Sequence, residues 1–509
     1  MRTSRSLVLG TFLLLSAGFC LGQGGIGPII TQVPTAKPDS GHPATSIAPG
    51  YVLKAVATGA DVLENPSGNI TTFGRLSDDT ATEPDQNLYL VFDRNPGGPV
   101  PGFDYGRHFL YQGHENGGNL AYVTRVNLDV RDASHRITLL TPVDGEGLTH
   151  FNSIDDSTYD PFTKTLLFTQ EAGSNGGVIQ IGSSWPAAVG TLDGIIGKGG
   201  YEAIHVDDQG TIFLVEDAGG VTVNVDPNDP TSPKVAKQPN SFVYRFLPYN
   251  KADLSQGGKL QALQVTIDGN PLVFHADDPV GDVFAVAQIQ LHTPGTSYPA
   301  QWVTVHDTAI DGTDSFDANA AAKTALATPF KRPENGVFLP GSRFRTFFFA
   351  VTGDTDSLSG SVVELAERGA WGSLFRLDLD SDRNTGTVSI FVLGDSTHNS
   401  FDNVTFADAT QILTAEDRGN TLHTELNTLD SVWAYSVNGS RPPLRFVALG
   451  RDATSEAEGE DNEPTGMFVS SGGSHILDLL GTPASLFNAR GFLTQQHGDN
   501  VVYETIKKF

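Results

Sequence analysis

The chain has 509 residues, room for one large core or two, and it is rich in turn formers, with 56 Gly and 29 Pro. Against 32 Lys and Arg stand 59 Asp and Glu, so the formal net charge is -27. Such a surface repels phosphate backbones and argues against a nucleic-acid partner.

Residues 1–23 read as a secretory signal. Arg2 and Arg5 precede an apolar run at residues 7–19, and small residues follow at 18–22. The single cysteine, Cys20, lies inside this segment, and Phe19 before it is a poor match to a lipoprotein site. The mature protein is therefore expected to be cysteine-free and secreted or periplasmic. No later apolar run reaches membrane-spanning length, so no stable membrane insertion is expected. Residues 24–50, rich in Gly, Pro, Thr and Ser, read as a linker or irregular arm.

From residue 51 to 509 the pattern is short apolar runs closed by Asp-Gly, Asn-Gly and Gly-Gly pairs, which predicts one all-β domain. Within it a frame recurs: an acidic or amide residue, a strand, a turn, a second strand, often another acid. A degraded copy runs from Asn152 through Tyr159-Asp160-Pro161 to Gln170-Glu171. Tyr201-Glu202-Ala203-Ile204-His205 leads to Glu216-Asp217. Phe330-Lys331-Arg332-Pro333-Glu334-Asn335-Gly336 opens the next copy. Asp402-Asn403-Val404 leads to Glu416-Asp417, and Asn462-Glu463-Pro464-Thr465-Gly466 opens the last. A second element, a strand centred on an aromatic, recurs at 241–246, 372–377 and 430–435. Repeats of this kind predict a β-propeller of five or six blades rather than a sandwich with long loops. Insertions break the period. The longest covers 250–327 and holds a short Ala-rich helix near 317–328. Long helices, a Gly-Xaa-Ser-Xaa-Gly elbow, a phosphate-cradling Gly loop and a His-Glu-Xaa-Xaa-His motif are all missing.

In a propeller the innermost strands line a channel, so matching positions face one another across it. Glu202, Glu334, Asn403 and Glu463 hold the repeated place, with Asn152 as the candidate in the degraded copy. Glu171 and the pairs Glu216-Asp217 and Glu416-Asp417 close the following strands. One such acid would most simply cap a loop. A converging set must be protonated, paired with Arg or bridged by cations, and oxygen ligands without thiolate suit calcium. Arg332, held two residues before Glu334 by Pro333, adds a planar cation suited to a tetrahedral oxyanion. His114-Glu115 ends an earlier strand and reads first as a hydrogen-bonded turn. Asp380-Ser381-Asp382-Arg383-Asn384 and Asp226-Pro227-Asn228-Asp229 lack the full calcium-loop pattern and read as turns.

Together these residues resemble the PhoX-type alkaline phosphatases, secreted bacterial phosphomonoesterases. The resemblance rests on Arg332-Pro333-Glu334, Glu202 before Glu216-Asp217, Asp402-Asn403, Glu463-Pro464-Thr465-Gly466 and His114-Glu115, and spans about residues 105–475. It implies a propeller with a central cluster of calcium and iron that hydrolyses small-molecule phosphate monoesters. It implies metal ligation by Glu171, Glu202, Glu334, Asn403 and Glu463, with Arg332 and Glu334 serving catalysis. In this family a cysteine thiolate helps hold the iron, and the matching stretch from His150 to Glu171 has none. The twin-arginine export signal usual in the family is also absent, since Arg2 and Arg5 are separated. Calcium without iron is thus an open expectation, in a monomer. The rival expectations are a non-catalytic calcium-binding propeller and another metal-dependent hydrolase such as a lactonase.

Overall fold

Six strands with polar sequences line the axis of the molecule: β1 (Glu83–Val91), β2 (Ile154–Asp160), β3 (Tyr201–Val206), β4 (Pro333–Phe338), β5 (Phe401–Asp408) and β6 (Pro464–Ser470). A computed structural model describes residues 24–41, 43–451 and 462–508; the expected signal segment and Cys20 lie outside them. Each of the six touches the next, and β6 returns to β1, so they close a ring. All seven residues of β2, six of them Asp, Ser, Thr or Tyr with polar groups, are buried. Polar groups can be buried here because neighbouring blades satisfy them. Asp156 accepts from Ile204 N at 2.9 Å, and Asn87 donates to Gly466 O at 2.7 Å.

Each inner strand begins an antiparallel meander of four strands running outward, one blade. Blade I continues with His108–Glu115, Tyr122–Asn127 and Ile137–Leu139, and blade II with Thr165–Gln170, Gly177–Gly182 and Val189–Thr191. Blade III adds Ile212–Glu216, Val243–Pro248 and Gly258–Ile267; blade IV adds Thr346–Val351, Ser373–Leu379 and Thr385–Leu393. These two blades fuse into one ten-stranded sheet because the long strand Tyr298–Asp307 pairs with the outer edges of both. Blade V adds Gln411–Glu416, Ser431–Ser436 and Leu444–Ala448. Blade VI is completed by an early strand, Tyr51–Ala57, laid antiparallel on Val501–Lys507, which ties the two ends of the ring together.

The fold is therefore an all-β propeller, with six blades. The aromatic-centred repeats are the third strands of blades III, IV and V. The Ala-rich helix forms at Ala318–Thr324, capped by Asp317, whose side chain accepts from Ala320 N. The stretch 250–327 is not wholly an insertion, since it carries the fourth strand of blade III and the fusing strand. Residues 24–41 are docked: Gln411 bonds both the N–H and the carbonyl of Ile29, and Ile26 and Ile29 pack with Val447, Met467 and Leu486. Between blades III and IV the core is aromatic. Phe213, Phe338 and Phe347 meet with centroids 4.9–5.6 Å apart, geometry worth roughly 0.5–1.5 kcal/mol per pair beyond area burial. Among the described residues no helix is long and apolar enough to cross a membrane.

Candidate metal centre

One local device repeats at the start of every inner strand. The pairing register with the second strand slips there, at 84–87, 154–157, 201–203, 333–336, 401–404 and 465–468. A β-bulge of this kind bends the strand and re-aims a side chain. Proline suits the position, being tolerated at strand starts and bulges, and it occurs as Pro84, Pro333 and Pro464. In blades I to V the residue following the paired position turns into the axis: Asp85, Asp155, Glu202, Glu334 and Asp402; in blade VI Thr465 is itself the paired position, and its hydroxyl donates to Asp85. From the second strands come Glu115, Glu171, Asp217, Thr352, Asp417 and Gln496. In blades II to VI the N–H of this last residue donates, at 2.8 Å each time, to the carbonyl of Ser153, Gly200, Arg332, Ser400 or Glu463. Ser153, Arg332 and Ser400 all take positive φ, 40°, 57° and 52°, strained for a residue with a Cβ and shared because the frame demands it.

The result is a well of about 250 Å³ lined by ten carboxylates, with Arg332, Gln496 and His497. Three sets of three bring a ligand oxygen from each within 4.8 Å of the others: Asp85, Glu115 and Asp155; Asp155, Glu171 and Glu202; Glu202, Asp217 and Glu334. The sets share members, so they form a chain of adjoining sites around one side of the axis. Burial first, then mutual repulsion, pushes Glu115, Asp155, Glu171, Glu202 and Asp402 well above the ordinary carboxylate range. The same causes hold Glu334 at about 7 and Asp85 at about 6. Without cations the well must carry protons; divalent cations would take their place. The donor set fits: carboxylate oxygens in number, one imidazole, and no thiolate from the described residues.

Arg332 spans blades III and IV, its Nε 2.8 Å from Asp217 Oδ2 and an Nη 3.1 Å from Glu334 Oε1. Burial opposes its charge, yet Asp217, Glu334 and Asp417 hold the guanidinium firmly protonated. Thr352 donates to Glu334 from the second strand. His497 sits between Glu83 and Glu463, 3.5 and 3.9 Å away, at the seam of blades I and VI.

Of the expected site residues, Glu171, Glu202, Arg332, Glu334 and Glu463 all line the well. Asn403 does not. Its amide oxygen accepts from Thr465 Oγ1 at 3.2 Å and Met467 N at 3.3 Å, in the seam to blade VI, while its neighbour Asp402 faces the axis. Successive residues of a strand point opposite ways, so the acid and the next residue cannot both enter the well. Asn152 is likewise diverted: its side chain pairs with Asn119, and Asp155 enters instead. The same alternation splits the acid pairs. Glu216 turns away to Tyr244 and Asn319, and Glu416 to Arg418, leaving Asp217 and Asp417 near the axis. His114 packs on Tyr122 and bonds Thr124, so only Glu115 of that pair reaches the centre.

The well is also lined by Glu83, Asp85, Gln496 and His497, which lie outside the motifs singled out from the sequence, and by Asp155 and Asp402, which lie inside them beside the expected Asn152 and Asn403. For blade I a signal existed: Glu83-Pro84-Asp85 repeats the Xaa-Pro-Xaa frame of Arg332-Pro333-Glu334 and Glu463-Pro464-Thr465. The loops Asp226–Asp229 and Asp380–Asn384 are turns whose carboxylates accept from Asn228 N and Asn384 N nearby.

A search of curated proteins returns no match. Among solved structures, the PQQ-bound aldose sugar dehydrogenase of Streptomyces coelicolor aligns at 12% identity over 73% of this chain and 93% of its own, with a TM-score of 0.25. A glucose dehydrogenase aligns at 13% identity over 72% of this chain and 96% of its own, with a TM-score of 0.29. The family model described as alkaline phosphatase PhoX matches residues 204–471, from within β3 to just past β6 and more than half of the chain. The chain belongs to the PhoX alkaline phosphatase family.

Proposed function

We propose that this protein is a calcium-dependent phosphomonoesterase acting outside the cytoplasm. The observation that carries the reading is the convergence of bulged inner strands on one carboxylate-lined well with Arg332 at its wall. Asp85, Glu115, Asp155, Glu171, Glu202, Glu334 and Asp402 would hold the ions, with Glu463 at the rim. Bound calcium would supply Lewis acidity, drawing charge from the ester oxygens. Oxygen donors in this number suit calcium, and no thiolate among the described residues lining the well offers the sulfur ligand that would favour iron.

The remaining work falls to the chain. Arg332, kept charged by Asp217 and Glu334, points a rigid donor fork at a phosphoryl group entering the well. The two carboxylates orient it, so its charge needs no rearrangement as negative charge builds on the phosphoryl oxygens. Thr352 fixes Glu334, and Thr465 with Gln496 fixes Asp85, at 2.5 and 3.1 Å. Export before metal uptake would let the ions bind in a calcium-rich compartment.

The test is elemental analysis of purified mature protein beside hydrolysis of a generic phosphomonoester, with and without chelator. Bound calcium with chelator-sensitive hydrolysis is expected. Bound calcium with no hydrolysis of phosphate esters would overturn the reading in favour of a binding module. Hydrolysis of lactones alone would overturn it in favour of a different hydrolase.

A further inference from the structure

A second cavity, larger than the well, opens at the opposite end of the propeller and holds about 770 Å³. It forms where the inner strands of blades I, II and VI end. Phe92 and Arg94 follow β1, Tyr159 sits one residue from the end of β2, and Ser474 and Leu477 follow β6. These strands are seven to nine residues long, which sets the cavity about 20 Å from the well. Backbone bonds lace its walls together. Val91 N donates to Gly472 O at 2.7 Å, joining blades I and VI, and Trp185 N donates to Pro96 O at 2.9 Å, joining blades II and I.

The chain has 59 acids to 32 Lys and Arg, yet this cavity reverses the balance. Its one carboxylate, Asp93, lies 4.0 Å from Arg107 and 3.8 Å from His475, so it is already spoken for. Arg94 and Lys164 line the cavity too, and neither has a carboxylate within ion-pairing distance among the described residues. Lys164 holds φ at 61°, a left-handed conformation that Gly or Asn reaches at lower cost, so a cation stands where the backbone favours another residue. A third cation lies behind the floor. Arg125 is 1% exposed and donates to Gly97 O at 2.8 Å, in the loop that carries Arg94. Its guanidinium stands 4.9 Å over the ring of Phe109, which meets Phe92 of the cavity wall at 6.1 Å. No described carboxylate pairs with Arg125, and its Nε has no partner. A buried charge that no acid neutralises acts through a medium of low dielectric and reaches further than one in water.

The size selects an organic molecule over a bare ion, since pockets for such ligands run roughly 300–1,000 Å³. The walls select its chemistry. Phe92 is already engaged by Phe109, Tyr111 and Tyr159, at 6.1–6.3 Å, so the apolar surface on offer is prolyl and aliphatic: Pro96, Pro161, Ile476 and Leu477. Ser184 and Ser474 add hydroxyls. Small apolar faces beside hydroxyls suit a sugar ring, and the cations ask that the sugar carry negative charge. We propose that this cavity binds an acidic saccharide, a uronate-bearing disaccharide or a stretch of such a polymer, with Arg94 and Lys164 taking its carboxylates and the serines and apolar walls its rings. The site stands apart from the well and does not depend on the phosphatase reading.

The test uses the full mature, metal-loaded protein and measures binding of digalacturonate, maltose and inorganic sulfate by calorimetry. Two double variants go beside the parent: Arg94→Met with Lys164→Met, and Arg94→Lys with Lys164→Arg. Digalacturonate is expected to bind, with maltose and sulfate weaker by about tenfold or more. The methionine pair should weaken digalacturonate by about tenfold or more, the loss of a charge-assisted hydrogen bond, and the charge-keeping pair should recover most of it. Metal content and phosphomonoester hydrolysis should stay at the parent's level in both variants. Binding of digalacturonate within twofold of the parent in the methionine pair would overturn the site, by placing the sugar elsewhere. Sulfate binding as tight as digalacturonate would overturn it in favour of a generic anion patch, and maltose binding as tight would remove the cations from recognition. No binding of digalacturonate by the parent, or a fall in metal content that matches the loss of binding, would overturn it as well.

Discussion

The two ends of the inner strands use the same residue type in opposite ways. At the far end Asp160, Asp207 and Asp408 stand where β2, β3 and β5 turn back, and each spends an oxygen on the turn. Asp160 accepts from Phe162 N, Asp207 from Gln209 N and Thr211 N, and Asp408 from Thr410 N, at 2.7–2.9 Å. At the near end Asp155, Glu202 and Asp402 face other carboxylates across the axis. A carboxylate near an exposed turn finds backbone donors within two or three residues. One lifted off a bulge into a ring finds only its counterparts. The lesson is that burial of an acid says little; what it faces decides whether it caps or collects cations.

The largest effect should come from removing metal. Chelation is expected to abolish hydrolysis, at least a hundredfold, and to lower the melting temperature, read by calorimetry; an unchanged melting temperature would mean the well is not a metal site. In the metal-free protein the raised acids bind protons more tightly folded than unfolded. Their contribution to stability is full below about pH 3.8 for Asp85 and about 4.5 for Glu334, and is lost as pH rises through about 6 and about 7 respectively. The melting temperature of the metal-free protein should therefore fall between pH 5 and 8, and added calcium should restore it. A flat profile would break the contrast between the two ends.

Next in size is Arg332→Ala, expected to cost 10²–10³ in kcat, or about 2.7–4 kcal/mol of barrier, the usual loss for a positioned charge donor. Turnover near that of the parent would remove Arg332 from catalysis. A sharper comparison sets Glu202→Gln against Asp207→Asn. Glu202→Gln puts a neutral amide where the metal-free well must hold a protonated acid, so it should lower metal content while raising the stability of the metal-free protein at neutral pH. Asp207→Asn breaks a buried pair with Arg383, 2.6 Å away, and should destabilise with or without metal by roughly 3 kcal/mol, leaving metal content alone. Opposite signs in the metal-free melting temperatures are the expected readout. Asp408→Asn, which weakens one turn, should cost about 1 kcal/mol and nothing in activity.

Much of this was legible in the chain itself. The fold class followed from strand periodicity and turn residues, and the blades were visible because each must carry the same four-strand meander. Glu202 and Arg332-Pro333-Glu334 stood out because their flanking strands are apolar enough to be read. Blade II looked degraded only because Ile154–Asp160 is polar and yet buried, satisfied by a neighbouring blade that no local window contains. Which residue of each acid-and-amide pair enters the well was not local information either. It turns on a bulge, which shifts the two-residue alternation by one, and bulges depend on pairing between strands. Hence Asp402 rather than Asn403, and Asp155 rather than Asn152. The sequence determined that acids would recur at strand starts; the closed ring decided which of them meet, because only closure brings positions hundreds of residues apart within a few ångströms.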